Sequence, residues 1–251
     1  MRYELMRPSE IRREIEKGTP LVWPIGVMEF HGGHLPVGTD TLAVMECCER
    51  LEKEMDVMIF PAFHFGAASK AVSAPAGKEG GRGTIDVTPD AMVPFFRQTF
   101  RGLLDVGLRN IHAFVFHQSE DFLQGMPTDL SLRLAARQTI MEYLEEKRGM
   151  GWWGDASSAD YYANHADREA NPFIWIQAHP LMDEAICAKY PIDHAGKGET
   201  SLMMAARPAA VSMAEHDPQF WFSRDAVEAT PEFGEEMIGK TVASMKRILS
   251  A

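Results

Sequence analysis

The chain has 251 residues, 45% of them hydrophobic and 24% charged, a composition that supplies a sizeable core and leaves no need for disulfide staples. Thirty-six acidic against 25 basic residues leave a formal charge of -11, and no Lys/Arg cluster interrupts it, which excludes nucleic acid and anionic membrane as expected partners. Cys47 and Cys48 are adjacent and Cys187 is distant, an odd count with neither a disulfide nor a zinc-ribbon spacing, so reduced thiols in a cytoplasmic protein are expected.

The N-terminal MRYELMRPSEIRREIEKG reads as a charged helix capped by Ser9 and running from Glu10 to Lys17, without the apolar core of a signal peptide. No apolar run approaches the roughly 18 residues of a membrane span. Leu21 to Val27 (LVWPIGV) is a buried parallel strand in this reading, blemished by Pro24. Asp40 is the N-cap candidate of a following helix, TLAVMECCERLEKEM, and VMIFPAF is the second strand. Thr88 to Val106 is the next helix, NIHAFVF (Asn110 to Phe116) the third strand, Leu130 to Arg148 another helix, and FIWIQ near residue 175 the fourth strand. A further helix begins TSLMMAARP. Strands alternating with helices predict a three-layer α/β/α sandwich around a mainly parallel sheet, a single domain over 1-251, with its site at the carboxyl ends of the strands. Two segments escape this periodicity, the Gly-rich residues 66-83 and the aromatic residues 152-171, and such loops are often functional.

Chemistry concentrates in GVMEFHGGHLPVGTD, residues 26-40, directly after the first strand. Glu29 and His31 are two apart, so in extended backbone both face one point, and Asp40 arrives at the next helix start. Carboxylate oxygens with imidazole nitrogen suit zinc, manganese or iron(II), and a carboxylate between two ions can bridge them. His117, in FVFHQSEDF at the end of the third strand, stands on the corresponding sheet edge with Glu120 and Asp121 nearby. A third cluster, IDHAGKGETS, brings Asp193, His194 and Glu199 before a helix; read by itself it is equally a capped helix start with a solvated Glu.

Together these clusters resemble the creatininase (creatinine amidohydrolase) family. The family's ExHGxHLPxGTD pattern is matched by Glu29, His31, Gly32, His34, Leu35, Pro36, Gly38, Thr39 and Asp40, and its HAGxxETS pattern by His194, Ala195, Gly196, Glu199, Thr200 and Ser201. Gly83, Thr84 and Ile85 stand where the family has PGTI. The resemblance implies an α/β/α sandwich, usually a homohexamer, with a two-metal site that hydrolyses cyclic amides or related C–N bonds. It implies that Glu29, Asp40 and His117 hold one ion, and that His31, Asp40 and a further carboxylate hold the other. It also puts a Trp-bearing loop over the site, so Trp153 and Tyr161 are expected substrate contacts, with core packing of Trp152, Trp153, Tyr161 and Tyr162 as the alternative.

The chain departs from the family at VFHQSE, where relatives carry NGHGGN or NGHYEN: Ser119 takes the place of a ligating Glu and Glu120 that of the final Asn. Creatinine itself is therefore not the expected substrate, and Ser119 and Glu120 are read as substrate-facing. Glu199 is the first choice for the missing metal ligand and Glu120 the second. The expected function is a metal-dependent hydrolase in which two divalent ions, zinc first, then manganese or iron, lower the pKa of a shared water and direct the hydroxide at a carbonyl of a small molecule. His194 is the expected general acid, oriented by Asp193, with Glu199 beside them. Two alternatives remain at this point: hydrolysis of a carbon-carbon bond in a cyclic ketone of the inosose type, and a non-catalytic relative that has lost one metal.

Overall fold

The computed structural model describes residues 1-69, 83-118, 121-191 and 193-250. Among them, β1 (Leu21–Ile25), β2 (Met58–Ile59), β3 (Ile111–Val115) and β4 (Ile176–Pro180) form one parallel sheet in the order β2-β1-β3-β4. Leu21 lies opposite both Met58 and Ile111, and Ile111 opposite Ile176, so the strands start level. Strands that start level and run parallel bring their following loops to one edge of the sheet, which is where the charged clusters lie.

Side-chain alternation divides the strands between two cores. Leu21, Trp23 and Ile25 of β1 and Ile111, Ala113 and Val115 of β3 face α3 (Pro89–Val106) and α4 (Pro127–Arg148), where Phe96, Phe100, Leu104, Leu132 and Ile140 meet them. Trp23 is fully buried there, edge-on to Phe60, Phe96 and Phe100. The other face, Val22, Phe114 and Phe116, packs on α2 (Thr39–Leu51), α6 (Lys197–Ala206) and α7 (Pro231–Leu249) through Val44, Cys47, Met203, Ile238 and Met245. Helices on both faces of the sheet make the α/β/α sandwich. The three cysteines are free, and Cys47 and Cys48 are buried. No helix among the described residues is long and apolar enough to cross a membrane.

Several boundaries differ from the sequence reading. The N-terminal helix, α1, spans Pro8–Glu16 and is capped at Arg7, not Ser9, because Pro8 is preset for the first helical position and Glu10 accepts the Arg7 backbone N–H. The fourth strand is Ile176–Pro180, not FIWIQ. Asn171 accepts from Phe173 N and turns Pro172–Ile174 into a 3-10 helix, so the strand begins only after it. Pro24 is tolerated inside β1 because β2 has already ended beside it, while the Pro24 carbonyl still accepts from Phe63 N at 2.9 Å. A short α5 (Glu184–Cys187) and the long α7, neither assigned from sequence, complete the chain.

Candidate metal centre

The site is built where β1 runs out. Gly26 follows the strand, and a Cβ there would stand 2.4 Å from the Thr41 backbone nitrogen, so only glycine lets the first turn of α2 close against the strand end. The loop between them is tied down by Glu29 N to Val37 O, by Phe30 N to Thr84 Oγ1 and by Ile85 N to Met28 O, which gives the Gly83-Thr84-Ile85 step its structural role. Asp40 is not the N-cap expected for it. Thr39 N already bonds Pro36 O, the cap is Gly38, and Asp40 sits in the first helical turn with its carboxylate turned inward and buried.

That carboxylate is shared. Asp40 Oδ1 lies 3.1 Å from His31 Nε2, and Oδ2 lies 3.1 Å from His117 Nδ1. Glu29 Oε2 is 3.4 Å from His117 Nδ1, and Glu199 Oε2 is 3.6 Å from His31 Nε2. Each imidazole is held from behind by a backbone carbonyl: His31 Nδ1 donates to Glu29 O at 2.9 Å, and His117 Nε2 donates to Ala67 O at 2.8 Å. A carbonyl only accepts, so these bonds fix which nitrogen carries the proton and turn the other toward the carboxylates, the arrangement that orients metal-ligating histidines. Three overlapping groups, Glu29 with Asp40 and His117, His31 with Asp40 and Glu199, and Glu29 with His31 and His194, each bring one ligand atom per residue within 4.8 Å of the others.

The donors fit a divalent cation. Glu29 Oε2 is buried without a hydrogen bond, although Oε1 accepts from Ser69 N. An unsatisfied carboxylate oxygen inside a protein is costly, and a cation beside it removes the cost. Burial pushes Glu29 up to about 7 and Glu199 up to about 8. Burial alone would lower His31, but Asp40 and Glu199 outweigh it and hold the imidazole up at about 10; His117 is likewise raised, by Asp40 and Glu29. Without a metal, therefore, protons stand in for cations between these carboxylates. Hard oxygen with imidazole nitrogen suits zinc or manganese.

The third cluster divides. Glu199, in the first turn of α6, is buried against His31, with Oε2 accepting from Ala195 N at 2.7 Å. His194 stacks on His31 at 4.5 Å between ring centroids and donates Nε2–H to Phe30 O at 2.8 Å, while burial pushes it down to about 4 and keeps it neutral. Asp193 does not orient His194: its carboxylate accepts from Gly198 N and from Glu199 N, so it caps α6. Gln118 and Ala195, each directly after a histidine of the cluster, hold φ of 51° and 55°, a left-handed conformation that non-glycine residues seldom adopt and that gathers at functional sites.

Ser119 and Glu120 lie outside the described residues, as does most of the Gly-rich segment 66-83. Trp153 and Tyr161 are brought together with each other and with Trp152 and Phe173, against the end of α4. The rings that meet the histidine cluster come from elsewhere: Phe222 stands edge-on to His194 at 5.2 Å, and Phe220 packs on Phe30. Sequence reading missed these two phenylalanines, which sit in an aperiodic stretch with no motif. It also missed the backbone of Ala67 and Ser69, whose small residues were the available signal. His34, part of the matched pattern, bonds Thr200 Oγ1 at 3.0 Å and ties the loop to α6.

Fold and site together define an α/β sandwich with a buried cluster of carboxylates and imidazoles that could hold metal at the carboxyl ends of its strands. The family model Creatininase, described as creatinine amidohydrolase, matches residues 4-249, and the chain belongs to that family. A creatinine amidohydrolase from Pseudomonas putida is 23% identical over 214 residues, covering 84% of this chain and 74% of the relative. Among solved structures, a manganese form of creatininase superposes with a TM-score of 0.72 at 18% identity, covering 99% of this chain and 96% of the other. A variant creatininase of Zn–Zn type gives 0.72 at 17% identity, with coverage of 99% and 96%. The family's members are metal-dependent amidohydrolases, and this chain is an enzyme of that class.

Proposed function

We propose that the protein hydrolyses a C–N bond of a small cyclic amide, with two divalent ions held in the cluster and with residues 1-251 acting as one creatininase-like domain. The observation that carries the reading is the division of Asp40: one carboxylate oxygen faces His31 and the other faces His117. Glu29 and His117 would complete the shell of the first ion with Asp40, and His31 and Glu199 that of the second. When bound, such ions act as Lewis acids and bring water's pKa toward neutrality.

The chain's own residues then order the protons. His194 rests neutral with its proton on Nε2, so Nδ1 is free to accept one from the attacking water and then deliver it to the leaving nitrogen, acting as base before acid. Asp193 acts indirectly by fixing the α6 terminus that presents Glu199. Phe220 and Phe222 shield His194 from water on one side. The P. putida relative is named for creatinine; the Ser119 departure directs this chain to other members of the cyclic-amide class.

The test is an amidase screen over lactams and cyclic ureas, with metal content measured on the same preparation. Two equivalents of zinc or manganese, with turnover lost to a chelator and restored by metal, is the expected result. Hydrolysis indifferent to chelation, or a chain that takes up no metal, would overturn it.

A further inference from the structure

At the opposite end of the sheet, below the first residues of β1 and β3, a cavity of about 190 Å³ is lined by Gly18, Thr19, Arg109, Asn110 and Arg168, with Ile15 and Leu108 among its apolar lining and no carboxylate among its lining residues. In a chain of net charge -11 that is an unusual local balance. The polar groups around it are mostly committed. Thr19 bonds Glu14, Asn110 joins Gly18 O to His112, and Arg109 donates to Leu104 O, Leu108 O and the Tyr143 hydroxyl while stacking over Tyr143 and Trp175.

Arg168 differs. Its Nε is buried with no hydrogen-bond partner, and no carboxylate forms an ion pair with it among the described residues. Asp167 attracts it through space, but Asp167 Oδ1 is engaged by Glu169 N. A half-buried guanidinium that keeps its charge and makes no contact ion pair among the described residues is a recognition element for a planar or tetrahedral oxyanion, which its fork engages through two parallel N–H donors. We propose that this cavity is a binding site for a small oxyanion, a phosphate or carboxylate group, held on Arg168 with Arg109 supplying a second positive charge. A group of that size fits the cavity, which lies at the opposite end of the sheet from the metal cluster.

The experiment is equilibrium dialysis of inorganic phosphate against the metal-loaded full chain, at constant ionic strength in sodium chloride, comparing the natural protein with Arg168→Gln and Arg168→Lys. Phosphate on the metal ions would persist in all three, so the readout is the difference. One saturable equivalent lost in Arg168→Gln and partly kept in Arg168→Lys is expected. Equal binding in the natural protein and Arg168→Gln, or no saturable binding in either, overturns the proposal. Competition by acetate assigns the site to carboxylates, and its failure to compete assigns it to phosphate. Should Arg168→Gln fold poorly, phosphate protection of the natural protein's Arg168 from a guanidinium-modifying dicarbonyl gives the same decision.

Discussion

Asp40 carries more of the site than any other side chain, because both of its oxygens are used and each serves a different histidine. Asp40→Ala is expected to abolish binding of both ions, whereas His31→Ala should lose chiefly one; elemental analysis of the two purified variants decides it, and equal metal content would rule out a shared carboxylate. The same measurement ranks the second-ion ligands. Glu199→Gln should weaken one ion and abolish turnover, while Glu120→Gln leaves both in place. A pH prediction follows from the raised groups. Glu29, Glu199 and His31 each bind a proton more tightly in the folded metal-free chain than when unfolded, so the stability they contribute is complete below their ordinary values and is lost as pH rises through about 7, 8 and 10. Asp40, held below its ordinary value by the two histidines against the effect of burial, acts in the opposite sense and only in acid. Melting temperatures of chelator-treated protein should therefore fall as pH rises from about 4.5, the ordinary value of the two glutamates, through about 8, whereas those of the loaded protein should not fall, because cations replace the protons. Parallel curves would show that no cation occupies the cluster.

At the scale of elements, the site depends on α2 approaching the end of β1, and that approach depends on Gly26. Gly26→Ala would drive a methyl group into the Thr41 backbone, which has no flexible end to give way. A loss of roughly 2 to 4 kcal/mol is expected, at or above the usual cost of overpacking, together with metal loss because Asp40 moves with the helix; denaturant titration and metal analysis check both. The aromatic segment gives a different expectation. Trp153 is 45% exposed and stacks on Trp152 at 5.6 Å, so Trp153→Ala should cost about 1 to 2 kcal/mol, less than the ~3 to 5 of a fully buried tryptophan. Turnover per folded molecule should be unchanged. Lost turnover at unchanged stability would restore the substrate-lid role that the family resemblance implies. Element boundaries were legible where local chemistry acts alone, as at Thr88 before α3, and illegible where it competes: Asn171 and Pro172 spend the start of the expected fourth strand on a 3-10 turn, and α7 carries its apolar face in a stretch begun by the turn-like Ala-Thr-Pro.

For the whole molecule, the resemblance leads us to expect a hexamer, and sedimentation at micromolar concentration tests it; monomer alone would refute it. The sequence by itself determined the layered α/β class, because periodicity and alternation are local properties that one chain displays in order. It also put Glu29, His31, Asp40 and His117 at one edge of the sheet, because three sit in the loop after the first strand and the fourth ends the third strand; His194 and Glu199, which read by themselves equally as a capped helix start, joined them only through the family resemblance. Tertiary structure alone decided what each of these residues does. Asp193 and Glu199 are equally acidic and six residues apart, yet one caps a helix and the other faces His31, because the backbone N–H groups of α6 claim the first and burial isolates the second. Asp40 reads as a cap from its position and becomes a shared carboxylate because Gly38 takes the cap and two histidines from different strand ends converge on it. Such roles follow from distances between residues as far apart as 31 and 199, and no pattern along the chain encodes those distances before the sheet brings its strand ends level.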